Sequence, residues 1–310
     1  MKPLTPSPDP GLRIVWWNTG LAPGATDEEP TNTLIDAAAH VLDHLLNEVG
    51  ADLIVLGEMC HSTLAALRTA CPRAREQCDW LPAFEKAGRS GFSICVLGMR
   101  HRLSVWAGAS IVLKHDARHR RVGLHFRVQV EGGGGAFDLI ASHWPSRLHL
   151  GRFDSERTHI AAHLRRWMSD HLHGLAQRNV VLVGDFNEEP FDEGVERYLL
   201  SSRDSGKVRR RKDLLYNPFW RHLSSFRPKG DSPGHGDPGT HFYPKAPHSD
   251  WHTFDQLMVS SPLVSGRSGW RLNEDNTRVV QLPLLPDGAS IPSRCFDHLP
   301  IVGHLERSSQ

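Results

Sequence analysis

The chain carries acidic, amide and imidazole side chains that fall at or just beyond the ends of predicted strands. They are Asn18, Glu58, His143, Asp185, Asn187, Asp255, Asp297 and His298. Because loops at one end of a strand-rich scaffold converge on a common rim, we expect these side chains to meet. Carboxylate and amide oxygens suit hard cations such as Mg²⁺ or Mn²⁺, and imidazoles beside a cation suit proton transfer or contact with phosphate oxygens. The set therefore predicts a metal-assisted site.

The segment Gly184-Asp-Phe-Asn187 follows an apolar run that predicts a buried strand over 179–184. Residues two apart on a strand face the same way, so we expect Asp185 and Asn187 to point together into the rim. Gly184 has no side chain and permits a close approach by another group. Taken alone, the segment is also compatible with a simple turn, because Asp, Asn and Gly all favour turns.

Asp255 shares a predicted strand face with the apolar residues Leu257 and Val259. An ionised carboxylate on such a face needs a partner, and His298 is the natural candidate. A carboxylate–imidazole pair would set the tautomer of the ring and stabilise its protonated form. The alternative is a buried carboxylate that is satisfied by backbone N–H groups.

The elements that would carry these residues follow from the apolar periodicity of the chain. Strands are predicted over 12–17, 51–57, 92–98, 102–106, 109–113, 122–130, 136–142, 179–184, 254–260 and 299–305. Helices are predicted over 31–50, 62–70 and 154–175. Many short strands with a few helices between them favour an α+β domain built around one core.

The composition is that of a globular protein of 310 residues, with 39% apolar and 23% charged residues. This excludes collagen, coiled coils and wholesale disorder, and a net charge of +1 excludes a globally basic nucleic-acid coat. Five Cys residues without a CxxC pair argue against a disulfide framework and a cysteine zinc site. No apolar run approaches the roughly 20 residues that span a bilayer, and the N-terminus lacks an apolar signal region, so we expect a cytoplasmic protein.

The predicted organisation is a flexible N-terminal tail over 1–11, a single domain over 12–305 and a C-terminal tail over 306–310. Residues 201–239 change character within the domain, with a basic cluster at 207–212 followed by a stretch rich in Pro, Gly, Ser and His. We interpret this stretch as a solvated surface insertion, or alternatively as a loop that contacts a phosphate backbone.

The order of the polar motifs resembles the endonuclease/exonuclease/phosphatase superfamily, whose fold is that of pancreatic deoxyribonuclease, and in particular its bacterial members. The matching segments are Trp17-Asn18, Leu56-Gly-Glu58, Ser142-His-Trp-Pro-Ser-Arg147, Gly184-Asp-Phe-Asn187, Phe254-Asp-Gln-Leu-Met-Val259 and Asp297-His-Leu-Pro-Ile-Val302. The resemblance covers nearly the whole chain. It implies a four-layer α/β sandwich, with two mostly antiparallel β-sheets packed face to face and helices on the outside.

The resemblance also implies metal-dependent hydrolysis of phosphoesters, with Mg²⁺ or Mn²⁺ as cofactor. The implied metal-binding residues are Glu58 as principal ligand, with Asn18 and Asp297 in support. The implied catalytic residues are His143, Asp185, Asn187, Asp255 and His298. Either Asp185 or His298 would act as the base, and whether one or two metals act stays open. After Glu58 the chain has Met59 and Cys60, where many members carry a polar residue that pairs with the first His.

Three further residues are candidates for substrate binding. Arg147 and Arg157 could contact phosphate through paired hydrogen bonds, although salt bridges explain them equally well. Trp144 could stack on a base, and is equally expected in the core.

Three functions remain from these observations. The first is a Mg²⁺-dependent nuclease acting on DNA or RNA, for which the near-neutral charge requires a focused basic patch such as 118–121 or 207–212. The second is a phosphatase or phosphodiesterase of a small or lipid phosphoester, which predicts a deep, narrow pocket. The third is a non-catalytic binding module, which predicts loss of site residues. Nothing in the sequence identifies a protein partner.

Overall fold

The computed structural model describes residues 11–22, 30–87, 90–115, 118–133, 135–172, 174–223, 239–285, 288, 290–291 and 295–308. The strands are β1 (Leu12–Asn18), β2 (Leu53–Gly57), β3 (Cys78–Ala87), β4 (Ser90–Met99), β5 (Leu103–His115), β6 (Arg118–Val130), β7 (Gly135–His143), β8 (Val180–Asp185), β9 (Ser201–Ser202), β10 (Leu215–Tyr216), β11 (His241–Phe242), β12 (Trp251–His252), β13 (Asp255–Ser260), β14 (Trp270–Val279) and β15 (Ile301–Arg307). The helices are α1 (Asn32–Asn47), α2 (His61–Ala70), α3 (Pro72–Gln77), α4 (Ser155–His171), α5 (Ser205–Arg210) and α6 (Ser261–Ser265).

The strands form two large, mostly antiparallel sheets. The first has six strands in the order β14-β15-β1-β2-β4-β3, and the second has seven in the order β5-β6-β7-β8-β13-β10-β9. The parallel neighbours are β1 with β2, β7 with β8, and β9 with β10. β11 and β12 form a separate two-stranded ribbon.

The two sheets pack face to face, and helices cover their outer faces. On β1, Ile14 and Trp16 point into the core between the sheets, whereas Val15 and Trp17 point outward against the helices. This alternation is the period of two that a doubly buried strand requires. α1 to α3 cover the first sheet, and α4 covers the second with a stripe of buried apolar residues. The predicted four-layer sandwich is thereby confirmed.

Two strands that the sequence pattern did not predict, β3 and β14, are the outer strands of the first sheet. β3 contains Pro82, and β14 carries polar residues with a register shift between Asn273 and Arg278. Proline and polar side chains are typical of edge strands, because such strands must resist pairing with other chains, and they obscure the apolar signal. The separately predicted strands at 102–106 and 109–113 are one strand, β5, with an irregular register after Ala107.

Residues 201–223 of the predicted insertion belong to the second sheet. β10 pairs with β13, and β9 pairs with β10 at the sheet edge. Val208 of α5 and Phe219 are buried in the core between the sheets. This part is therefore tied to the core through its short strands and these apolar side chains, while the basic side chains at 207 and 209–212 are exposed. Residues 224–238 lie outside the described residues. β15 continues to Arg307, into the predicted C-terminal tail.

Candidate active site

Strand alternation delivers the polar side chains to one end of the central core. On β8, Val181 and Val183 face the other sheet, so Asp185 follows on the same face. The register places His143 of β7 opposite Asp185, and Asp185 opposite Asp255 of β13. Three neighbouring strands of the second sheet therefore present a histidine and two carboxylates side by side.

Asn18 links this row to the first sheet. Its Nδ2 donates to Glu58 Oε1 at 3.0 Å and to Asp185 Oδ2 at 3.2 Å. Glu58 follows β2 with a left-handed backbone (φ 52°), and its side chain is 38% exposed. His143 Nε2 lies 3.5 Å from Glu58 Oε1 and 3.8 Å from Asp185 Oδ2. One amide and one imidazole thus bridge carboxylates from both sheets.

The partner predicted for Asp255 is confirmed. The Asp255 side chain is fully buried, and its Oδ2 lies 2.7 Å from His298 Nδ1, while its Oδ1 accepts a 2.7 Å bond from Trp16 Nε1. His298 Nε2 lies 3.8 Å from Asp185 Oδ2. Burial of the ring lowers its pKa, but the charge and hydrogen bond of Asp255, with the charges of Asp185 and Asp297, outweigh burial and raise the pKa of His298 to about 10.

Asn187 reaches the site by a turn and not by strand periodicity. β8 ends at Asp185, and Asn187 has a left-handed backbone with φ 49°. Its backbone N–H donates to Asp185 Oδ1 at 2.8 Å, and its Nδ2 donates to the Trp144 carbonyl at 3.0 Å. Asn tolerates this conformation better than most residues, which explains the residue type. The close approach predicted at Gly184 is made by β7, because a Cβ there would lie 1.8 Å from the Ser142 carbonyl oxygen.

His241 is a site residue that the sequence analysis did not select. Its ring packs on that of His298 with centroids 4.3 Å apart, and its Nε2 lies 3.7 Å from Asp297 Oδ2. Backbone bonds from Phe242 N to the Asp297 carbonyl and from Leu299 N to the Thr240 carbonyl, both 2.7 Å, hold the ribbon in place. The available signal was the concentration of His residues in this part of the chain.

Asp297 lies at the cavity with its side chain 58% exposed. Partial burial disfavours the charged carboxylate, but His241 and the charge of His298 outweigh it and lower the pKa of Asp297 to about 2.

Two of the three predicted substrate contacts do not face the cavity. Arg157 is 1% exposed and donates to the backbone carbonyls of Pro145, Leu150 and Gly151, so it braces the loop that follows His143. Trp144 is 1% exposed and donates to Ser142 Oγ at 2.9 Å, as a core residue does. A direct phosphate or base contact by either side chain is incompatible with this burial.

Seven of the predicted residues line a cavity of about 690 Å³. They are Glu58, His143, Arg147, Asp185, Asn187, Asp297 and His298. The ribbon and the residues that join its strands form another wall. Within the described part of the lining, neither the basic cluster at 207–212 nor that at 118–121 is present.

A family model described as the endonuclease/exonuclease/phosphatase family matches residues 32–296. The chain belongs to this family. It is a phosphoesterase by class, and the resemblance seen in the motifs is confirmed. The comparison with curated protein sequences finds no match.

Solved structures of other family members show the same fold at low sequence identity. The catalytic domain of human Nocturnin with bound sulfate has a TM-score of 0.62 and 18% identity, covering 96% of this chain and 95% of that one. D. rerio TDP2 in complex with a single-strand DNA product has a TM-score of 0.60 and 16% identity, covering 96% and 100%. A family protein from Bacteroides thetaiotaomicron has a TM-score of 0.59 and 15% identity, covering 96% and 98%.

The donor set of this family member fits a divalent cation. Glu58 and Asp297 present exposed carboxylates to the cavity, and oxygen ligands suit Mg²⁺ and Mn²⁺. Among the described residues, two groups have ligand atoms within 4.8 Å of one another: His241 with Asp297 and His298, and Asp185 with Asp255 and His298. In the second group the Asp255–His298 hydrogen bond already occupies Nδ1 of the ring.

No helix in the described part of the chain combines the length and the apolar character needed to cross a bilayer.

Proposed function

We propose that this family member is a divalent-metal-dependent phosphodiesterase that cleaves nucleic acid, with DNA as the first substrate to test and RNA as the second. The observation that carries the proposal is the joining of Glu58, Asn18 and Asp185 by hydrogen bonds across two sheets, beside a buried Asp255–His298 pair. A structural relative, D. rerio TDP2, was solved with a single-strand DNA product, which supports nucleic acid as the substrate class.

In this proposal Glu58 is the principal metal ligand, and Asn18 and Asp297 support the ion or its waters. A bound Mg²⁺ or Mn²⁺ would neutralise charge on the phosphate oxygens and acidify a bound water. The exposed Glu58 carboxylate already faces the cavity, while the Asn18 amide orients it. We expect the metal site to form without rearrangement of the strands.

We assign His298, Asp185 and His143 separate roles in the reaction. His298 lies between the Asp255 and Asp185 carboxylates with Nδ1 committed to Asp255, so we assign its Nε2 as a cationic donor to a phosphate oxygen. Asp185, oriented by bonds from Asn18 and from the Asn187 backbone, is then the base that accepts a proton from the attacking water. His143 lies on the other side of Asp185, where it would stabilise charge on the non-bridging oxygens.

The test is cleavage of supercoiled plasmid and of single-stranded DNA and RNA with Mg²⁺ or Mn²⁺, against an EDTA control. We expect metal-dependent cleavage that falls by about 100-fold or more in His298→Ala, as for loss of a charge-stabilising donor. The matched control is His101→Ala, which removes an exposed histidine outside the cavity lining. A folded protein that binds no divalent cation would instead support the non-catalytic binding module.

A second candidate, a phosphatase or phosphodiesterase of a small or lipid phosphoester, is favoured by the wall that the ribbon adds to the cavity. The ribbon forms one side of the site, and among the residues that the structure describes neither predicted basic cluster lines it. Hydrolysis of nucleotides, phosphoinositides or sphingomyelin, with no cleavage of any polynucleotide, would establish this candidate in place of the first.

A further inference from the structure

Two exposed aromatic rings flank one arginine at the mouth of the cavity, and the exposed Leu148 lines the same cavity. Phe153 is 93% exposed, Leu148 is 75% exposed and Phe191 is 43% exposed. The Arg152 guanidinium carbon lies 5.6 Å from the centroid of the Phe153 ring and 5.7 Å from that of Phe191. We call these four residues the aromatic rim. Grouped exposed apolar side chains of this size mark interaction sites, whereas isolated ones do not.

Hydrogen bonds connect the aromatic rim to the site. Arg152 donates to Asp192 Oδ1 from Nε at 3.0 Å and from Nη2 at 2.5 Å. Arg147 forms an ion pair with the other oxygen of Asp192 and donates to the Asn187 carbonyl at 2.9 Å. Leu148, Arg152 and Phe191 themselves line the cavity. A ligand held at the rim is therefore held in a defined position relative to Asn187.

The charge at this part of the mouth favours an anionic ligand that carries planar rings. Two guanidinium groups, those of Arg147 and Arg152, share the single carboxylate of Asp192, which is 7% exposed. This trio keeps one positive charge beside the two phenyl rings. Arginine and aromatic side chains together form a surface on which unpaired bases stack, while the cation attracts the backbone phosphate.

We propose that the aromatic rim is a base-stacking subsite for single-stranded nucleic acid, in which an unpaired base next to the scissile phosphate packs on Phe153 and Phe191. The inference rests on the proposed function and adds that the substrate is single-stranded. Bases in a duplex have both faces covered by neighbouring base pairs, so a single strand or a frayed end fits the subsite. A lipid surface fits less well, because the rings of Phe153 and Phe191 flank the ion-paired guanidinium of Arg152.

The test measures KM for single-stranded DNA oligonucleotides that are intact or carry one abasic position at a time. Loss of one stacked base weakens binding by about 5- to 100-fold, and we expect Phe153→Ala to raise KM within this range. In the wild-type protein an abasic site at one position should cause a similar loss. In Phe153→Ala the same abasic site should cause a smaller further loss than in wild type, because one of the two stacking rings is already gone. Phe153→Trp should restore a low KM.

The matched control is Trp106→Ala, which removes an aromatic side chain that is 54% exposed on β5 and does not line the cavity. It should leave KM unchanged. Equal KM values for wild type and Phe153→Ala would overturn the stacking subsite. So would losses of affinity from the substitution and from the abasic site that simply add.

Loss of binding to phosphatidylserine vesicles in Phe153→Ala, with unchanged KM for DNA, would overturn it in favour of a membrane surface. Hydrolysis of bis(p-nitrophenyl) phosphate by the wild-type protein, without cleavage of any oligonucleotide, would refute the subsite and leave phosphoester hydrolysis standing. Cleavage of neither substrate would refute the proposed function itself.

Discussion

Replacing Asp255 by Asn tests the buried ion pair at the centre of the site. The substitution keeps the size of the side chain and an oxygen that can accept from Trp16 Nε1, but it removes the charge that faces His298. Asp255 is 0% exposed, so water cannot replace the lost partner. The imidazole must then either carry a buried charge that only the charges of Asp185 and Asp297 offset, or give up its proton.

The size of the effect follows from the pKa of His298. Although burial lowers it, the charge and hydrogen bond of Asp255, together with the charges of Asp185 and Asp297, outweigh burial, and the pKa is about 10 against 6.5 for a free histidine. This difference corresponds to an upper limit on the order of 5 kcal/mol, and loss of one partner of a buried pair costs about 3–5 kcal/mol. Because the folded pKa is raised, the stabilisation is fully present below pH 6.5 and is lost as pH rises towards 10.

We therefore expect Asp255→Asn to unfold more easily than wild type by about 3–5 kcal/mol near neutral pH, and by much less at alkaline pH. The assay is urea unfolding of both proteins in EDTA across this pH range. The difference between their free energies of unfolding is taken at each pH, so that the contributions of other titrating groups cancel. His298→Gln, the control, should lose the same pH-dependent part. A difference that stays constant with pH would show that His298 is not charged in the folded protein and would refute the assignment of its Nε2 as a cationic donor.

Three further changes test other parts of the site. Glu58→Gln should abolish Mn²⁺ binding in calorimetric titration without lowering the unfolding midpoint, because the side chain is 38% exposed; retained binding would refute its role as principal ligand. Arg157→Met should lower the free energy of unfolding by about 3 kcal/mol, because three backbone carbonyls over 145–151 lose their hydrogen-bond donor. A rise in KM without this loss of stability would contradict the role of Arg157 in bracing the loop. Gly184→Ala should cost more than about 3 kcal/mol in urea unfolding, since its Cβ would meet the Ser142 carbonyl at 1.8 Å; a stable variant would show that β7 and β8 can separate.

The parts of the fold that could be predicted are the strands in which the alternation of side chains sets both which residues are buried and which way they point. β1, β2, β8 and β13 are buried on both faces, so their apolar runs are unbroken and their polar ends are conspicuous. The same period of two required a partner for Asp255, and His298 provides it. Edge strands β3 and β14 escaped prediction because exposure removes the apolar constraint from one face.

The residues that could not be predicted, or were assigned wrongly, depend on loops. His241 lies on a two-residue strand whose position is set by backbone bonds to the Asp297–Leu299 segment, and no local pattern encodes those bonds. Arg157 is buried on α4, but only the path of the loop after His143 shows that backbone carbonyls accept hydrogen bonds from its guanidinium.

The distinction between strands and loops also separates the chemistry of this family member from its choice of substrate. His143, Asp185 and Asp255 stand on the ends of rigid strands, where alternation fixes their direction. The aromatic rim instead stands on loops that are held by the buried carboxylate of Asp192. A change in these loops can alter which phosphoester is bound while Asp185, Asp255 and His298 keep their geometry. The order of the motifs therefore predicts the reaction class. Whether the substrate is single-stranded, and how large it is, depends on contacts that only the folded structure brings together.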